Sequence, residues 1–234
     1  MKVITMSVAL KKPQKRLEKI KILKKLRLGN NHQVAYVADH PITLDEFCDL
    51  VDEDDDVELI DGVILEKMAA QDPHEDLFRF LLSIMVFYTE KYNLGFIRGS
   101  RTLVPITPYT GRLPDILFVR KERENIVTQK RLTDAPDLVI EILSPSDRPS
   151  ETMQRLSNYE QIGVKEFWII DQPRKKMQAF FLDEATKKFL PLDVKDSILT
   201  SNVVKGFWIK IDWLWQKPLP SVLEVFKEIS GDEM

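Results

Sequence analysis

The sequence predicts an α/β fold, and three observations carry that prediction. Two short apolar runs, 137–143 and 166–171, lie on either side of a helical stretch at about 150–162 that Gly163 closes. An Asp61-Gly62 pair sits between Val57-Glu58-Leu59-Ile60 and Val63-Ile64-Leu65-Glu66. After Asp72-Pro73, apolar residues recur at helical spacing, with Leu77, Phe80, Leu81, Ile84, Phe87 and Tyr88 on one face. Strands on both sides of one helix imply a parallel pair joined by a right-handed crossover. A length of 234 residues suffices for one sizeable core, and 44% hydrophobic with 30% charged residues is ordinary for a globular chain.

Charge sets the beginning of the chain apart. Residues 1–38 hold ten Lys/Arg and one acid, Glu18, which leaves 24 bases against 36 acids in the rest. Lys11, Lys12, Lys15 and Arg16 form the densest part, and Leu17, Ile20, Leu23 and Leu26 give a loose amphipathic stripe. Such an arm can hold nucleic-acid phosphates; it can equally be a solvated, mobile tail. The chain therefore divides into a basic arm, 1–38, disordered or phosphate-binding, and a single domain, 39–234.

Within that domain, Thr43-Leu44-Asp45-Glu46 has capping-box spacing and should start a short helix. Asp-Gly between two apolar runs is the strongest short signal for a hairpin, because both central residues need φ > 0. Asp72 and Pro73 supply an N-cap and a first-turn proline, and Gly95 lies just past the end of the long helix. Strands are expected near 96–104 and 113–119, then at 137–143 and 166–171, and again near 176–182 and 187–193. A last helix should cover Ser221–Ile229.

Several chemistries are excluded. There is no Walker-type phosphate loop, no dinucleotide glycine fingerprint and no nucleophile elbow. No Cys/His cluster is present for zinc. Cys48 is the one cysteine, so no intramolecular disulfide forms, which fits a reducing cytosol. The longest apolar run, 80–88, is far short of the ~18 residues of a membrane helix. Without a secretory core at the N-terminus either, the expectation is a cytoplasmic protein with no membrane partner. Ser144-Pro145-Ser146-Asp147 reads as a strand-to-helix turn with Asp147 or Ser150 as cap, rather than as a catalytic-serine stretch.

Carboxylates remain as the candidates. Glu141 sits in Asp137-Leu138-Val139-Ile140-Glu141-Ile142-Leu143, which otherwise reads as a buried strand. Asp115 sits likewise in Leu113-Pro114-Asp115-Ile116-Leu117-Phe118-Val119. A buried carboxylate is costly unless paired or bound to a metal. Two of them on neighbouring apolar strands suit a hard cation, Mg²⁺ or Mn²⁺. Alternatively, both acids are structural partners of Arg112 or Arg148. Asp137 lies roughly 13 Å along the strand from Glu141, too far to share one ion, and reads as a turn or cap residue. Glu58 on the hairpin and His74 in the first helical turn could each complete the site. A helix N-terminus should push His74 towards its neutral form.

These pieces together resemble a known family. Pro114-Asp115 followed by Glu141-Ile142-Leu143 resembles the PD-(D/E)XK signature of restriction-endonuclease-like nucleases. Thr43 to Phe47, Glu58 to Gly62, His74, Leu113-Pro114-Asp115, Ala135 to Ser146, and Tyr159 with Gly163 to Asp171 follow in the order of one branch, the Uma-two endonucleases, over about 41–215.

The resemblance implies a restriction-endonuclease-like fold, with a central mixed β-sheet flanked by helices and an N-terminal hairpin and helix. It implies an Mg²⁺- or Mn²⁺-dependent endonuclease acting on DNA. Asp115, Glu141 and the backbone carbonyl of Ile142 would hold the cation, with Glu58 and His74 at polar active-site positions. A homodimer is compatible with this reading.

One departure matters. The lysine usual two residues after the glutamate is Leu143 here, and the alternative position on the following helix is Arg155. Arginine can stabilise charge on a phosphate but does not lose its proton as a lysine can. Lys165 could substitute, or lie on the surface. The alternative function is therefore a catalytically weak or inactive DNA-binding protein on the same fold.

Overall fold

The computed structural model describes residues 23–28, 33–52, 55–67, 72–99, 101–145 and 147–231. In chain order they form β1 (Lys24–Leu28), β2 (Gln33–Val37), α1 (Leu44–Leu50), β3 (Val57–Ile60), β4 (Val63–Glu66), α2 (Asp72–Lys91), β5 (Gly95–Gly99), β6 (Val104–Thr107), β7 (Thr110–Arg112) and β8 (Ile116–Arg120). There follow β9 (Leu138–Leu143), α3 (Pro149–Ile162), β10 (Glu166–Asp171), β11 (Lys176–Asp183), β12 (Lys188–Pro191), β13 (Val194–Lys195), β14 (Ile198–Thr200), β15 (Trp208–Lys210) and α4 (Val222–Ser230).

The central sheet runs β12-β11-β10-β9-β8-β5. It is mixed: β9 and β10 are parallel, joined through α3, while the other neighbours are antiparallel. Strand alternation sorts its side chains into two cores. Ile116, Phe118, Leu138, Ile140, Ile142, Trp168 and Ile170 face α2, α4 and the small β13-β14-β15 sheet. Leu117, Val119, Val139, Leu143, Phe167 and Ile169 face the other way, towards Tyr159, Leu156 and Ile162 of α3. Each fully buried Leu, Ile or Phe contributes about 1.5–3 kcal/mol.

A second six-stranded sheet, β1-β2-β4-β3-β7-β6, stands beside it around Tyr36, Ile42, Leu44, Phe47, Leu59 and Ile64. The β3–β4 hairpin turns as its sequence requires, with Asp61 at φ 50° and Gly62 at φ 78°. A Cβ on Gly62 would also lie 2.6 Å from Pro41 Cβ, so only glycine fits the turn. Strands β3 and β7 are joined by one residue pair, Leu59 and Gly111. A Cβ on Gly111 would fall 2.7 Å from both Leu103 Cδ1 and Leu44 Cδ2.

The structure differs from the sequence reading in three places. Ordered strands begin before residue 39: β1 and β2 lie inside the stretch read as an arm, with Lys24–Leu28 paired to Gln33–Val37 and β2 paired to β4. Lys24 to Arg27 look polar because this is an edge strand, where exposed lysines are usual. Lys11, Lys12, Lys15 and Arg16 lie outside the described residues. The expected strand at 96–104 is two strands in two sheets, β5 and β6, because the chain breaks away after Gly99. Neither Asp147 nor Ser150 caps α3. Arg148 holds the N-cap position, and its backbone N–H donates to Glu151 Oε2 at 3.3 Å. Among the described residues, no helix is long and apolar enough to cross a membrane.

Candidate active site

Glu141 lies in mid-β9 and Asp115 directly precedes β8. The β8–β9 register pairs Ile116 with Ile140. Extending it by one residue sets Asp115 opposite Glu141, and cross-strand neighbours share a face. Both carboxylates are buried, at 6% and 5% exposure. Neither pairs with Arg112 or Arg148, so the structural ion-pair alternative is not what the chain adopts.

Each acid is held by one oxygen. Asp115 Oδ2 accepts from the Ile142 N–H at 2.8 Å. Glu141 Oε1 accepts from the Tyr159 hydroxyl at 2.7 Å. Tyr159 reaches it from α3, clamped against Phe167 with ring centroids 5.1 Å apart. Asp115 Oδ1 and Glu141 Oε2 take no hydrogen bond among the described residues.

The two acids titrate apart. Burial is the largest influence on Glu141 and Arg155 opposes it; with Asp115 adding repulsion, the pKa rises to about 7. For Asp115, burial is outweighed by His74, Lys67 and the Ile142 N–H, so its pKa falls below the ordinary carboxylate value.

His74, near the start of α2, brings Nε2 to 3.4 Å from Asp115 Oδ2, with Nδ1 3.5 Å from Glu75 Oε1. His74 is not pushed towards its neutral form, as the helix N-terminus led the sequence to suggest. Burial does favour the neutral ring, but the Asp115 carboxylate, with Glu75 behind it, outweighs burial, and the pKa is raised.

Glu58 is committed elsewhere. Its Oε1 accepts from the Leu113 N–H at 2.9 Å and its Oε2 from Arg112 Nη1 at 3.2 Å. Arg112 Nε donates in turn to Asn158 of α3 at 3.0 Å. Burial would raise the Glu58 pKa, but Lys67, Arg112 and Arg155 outweigh it and hold the group ionised. Glu58 thus ties the hairpin to the loop that carries Asp115, and both its oxygens are taken.

Arg155 Nη1 donates to Asp147 Oδ1 at 2.7 Å, while Asp147 Oδ2 accepts from the Ser144 N–H and hydroxyl. Burial opposes the guanidinium charge, but Glu141, Glu58 and Asp147 outweigh it, so the charge is fixed. Lys165 pairs with Glu184 on the surface and is no substitute for the missing lysine. Asp137 accepts from the Arg120 N–H and pairs with Arg123 at 3.1 Å, the turn role expected of it.

Sequence reasoning missed two residues. Tyr159 was a motif landmark only; its signal is the four-residue spacing from Arg155, which sets both on one helical face. Lys67 follows β4 and turns inward, its Nζ donating to the Leu113 carbonyl at 3.1 Å. Burial would lower its pKa, but Glu58, Asp115 and Glu141 outweigh that and raise it. No local pattern in the sequence marks it.

Among the described residues there is no cluster of three or more His, Cys, Asp or Glu side chains arranged as an ion site. Two opposed carboxylates, each with one uncommitted oxygen, match Mg²⁺, which is held by one or two carboxylates with water and substrate phosphate filling the octahedron.

A family model described as "Uma2: Putative restriction endonuclease" matches residues 44–212. Among solved structures, the chain is similar to a "putative nuclease belonging to DUF820" from Anabaena variabilis ATCC 29413. That likeness has a TM-score of 0.62 and 20% identity, covering 75% of this chain and 98% of that one. It shows a shared restriction-endonuclease-like architecture and, at that identity, the fold alone. No curated protein matches the chain.

Proposed function

The chain belongs to the Uma2 restriction-endonuclease family, and from that membership we propose that it is an Mg²⁺- or Mn²⁺-dependent endonuclease hydrolysing DNA phosphodiester bonds. The single observation that carries this reading is the convergence of Asp115 and Glu141 on one face, each anchored by one oxygen and each presenting another. In it, Asp115, Glu141 and the Ile142 carbonyl would hold the ion. A bound divalent cation lowers the pKa of its water and neutralises phosphate charge.

The protein's own groups do the rest. The Ile142 N–H and the Tyr159 hydroxyl fix the carboxylates before substrate arrives, so little reorganisation accompanies the reaction. Glu58 and Arg112 brace the loop that carries Asp115. Arg155, locked by Asp147, supplies a fixed positive charge near Glu141. His74 keeps Asp115 ionised.

Nicking of supercoiled plasmid with Mg²⁺ or Mn²⁺ tests the reading, against Asp115→Ala and Glu141→Ala. The expected result is cleavage by the parent chain and a loss of at least about 10³-fold in both variants. Equal cleavage by all three would remove the assigned site. The second reading, a DNA-binding protein with little turnover, is favoured by Arg155 being tied to Asp147; tight duplex binding without nicking under either ion would establish it.

A further inference from the structure

We propose that Lys67 is the residue through which this site grips the scissile phosphodiester. The inference rests on the nuclease reading above and adds to it a residue that neither the motif nor its spacing points to. Lys67 comes from the hairpin sheet, not from the strands that carry the two acids. Its backbone is fixed by an N–H donated to the Asp56 carbonyl at 2.8 Å. Its ammonium is fixed at the Leu113 carbonyl, two residues before Asp115.

The other basic groups around this site already have acidic partners. Arg112 pairs with Glu58 and donates to Asn158, with Nη2 left unpartnered among the described residues, Arg155 pairs with Asp147, and His74 pairs with Asp115. Lys67 makes no ion pair among the described residues, although Glu58, Asp115 and Glu141 all act on its charge. An ammonium carries three donors, and one hydrogen bond, to Leu113, is made among the described residues. Two donors are therefore left without a partner among the described residues. The three acids hold the ammonium charged, which suits contact with a phosphate oxygen and not proton abstraction.

Two roles compete with this one. Lys67 could be a structural counter-charge between the sheets, or it could stand in the place a metal ion takes. Three measurements separate them on the full-length chain: kcat and KM for plasmid nicking, the salt dependence of duplex binding in Ca²⁺, and Mn²⁺ affinity by calorimetry. Lys67→Met should lower kcat by about 10²–10³-fold. It should also reduce the slope of log affinity against log salt by about 0.9, the loss of one phosphate contact. Lys67→Arg should restore the slope and most of kcat, and it serves as the reporter should the methionine variant fold poorly.

Unchanged kcat and unchanged slope in Lys67→Met overturn the proposal in favour of a structural role. Tighter Mn²⁺ binding with undiminished kcat overturns it in favour of the metal-mimic role. Should the parent chain nick under no divalent ion, the nuclease reading fails by itself; the salt slope still supports the Lys67 contact if it falls and overturns it if it does not.

Discussion

Glu166 offers the sharpest test of the fold away from the site. It opens β10, is fully buried, and accepts three hydrogen bonds: from Trp168 Nε1 at 2.7 Å, Asn202 N at 2.7 Å and Val203 N at 3.2 Å. Two of those donors belong to the segment between β14 and β15, so one carboxylate staples the small sheet to the central one. Glu166→Ala strands these donors. Each costs about 1–3 kcal/mol if left unmet, though the segment's amides can turn to water and the carboxylate no longer has to be dehydrated, so the net loss is about 3 kcal/mol. For a chain of this size that is a fall in Tm of about 6–12 °C.

The pH dependence has a definite sign. Burial, the largest influence, raises the Glu166 pKa above its ordinary value despite the three donors. A raised acid contributes most below its unfolded pKa and loses that contribution as pH climbs through the folded one. The variant should therefore cost more at about pH 5 than at about pH 8. Thermal melts at both pH values decide it. A fall in Tm under about 2 °C, or a larger cost at the higher pH, would refute the reasoning.

Other outcomes follow from the same contacts. Tyr159→Phe removes the donor that orients Glu141 Oε1 and should weaken Mn²⁺ binding by about 10–100-fold in calorimetry, with the fold retained by circular dichroism. Thr43→Ala breaks the capping box in which the Thr43 hydroxyl accepts from the Glu46 N–H and Glu46 answers to the Thr43 N–H; denaturant titration should show a loss of about 1 kcal/mol. Trp168→Ala empties a fully buried position in the core beneath α2 and should cost about 3–5 kcal/mol in the same assay.

What the sequence made legible was what local chemistry decides. Asp61-Gly62 set the hairpin because few residues tolerate two successive positive φ angles. The parallel β9–α3–β10 unit was readable because two apolar strands flanking one helix admit few arrangements. Asp115 and Glu141 stood out because carboxylates are conspicuous in apolar strands. What stayed hidden depends on the third dimension. The β1–β2 hairpin is polar in sequence and gains its order from the edge of β4, thirty residues on. The raised pKa of His74 comes first from Asp115, which no local pattern places beside it. Lys67 is an unremarkable residue after a strand until the fold brings it beside acids from three other strands or their ends.

The joint at Leu59 and Gly111 has a consequence for inheritance. The β3–β4 hairpin, with Glu58, meets β7 at a place where an added methyl group would press on the ends of the Leu103 and Leu44 side chains. A Gly111→Ala change would leave every charged residue in its ordained position along the chain and still oblige those two leucines to shift. A disturbance at the seam beside the centre can thus be written in a neutral letter, invisible to any survey that checks only whether the acids and bases are still present.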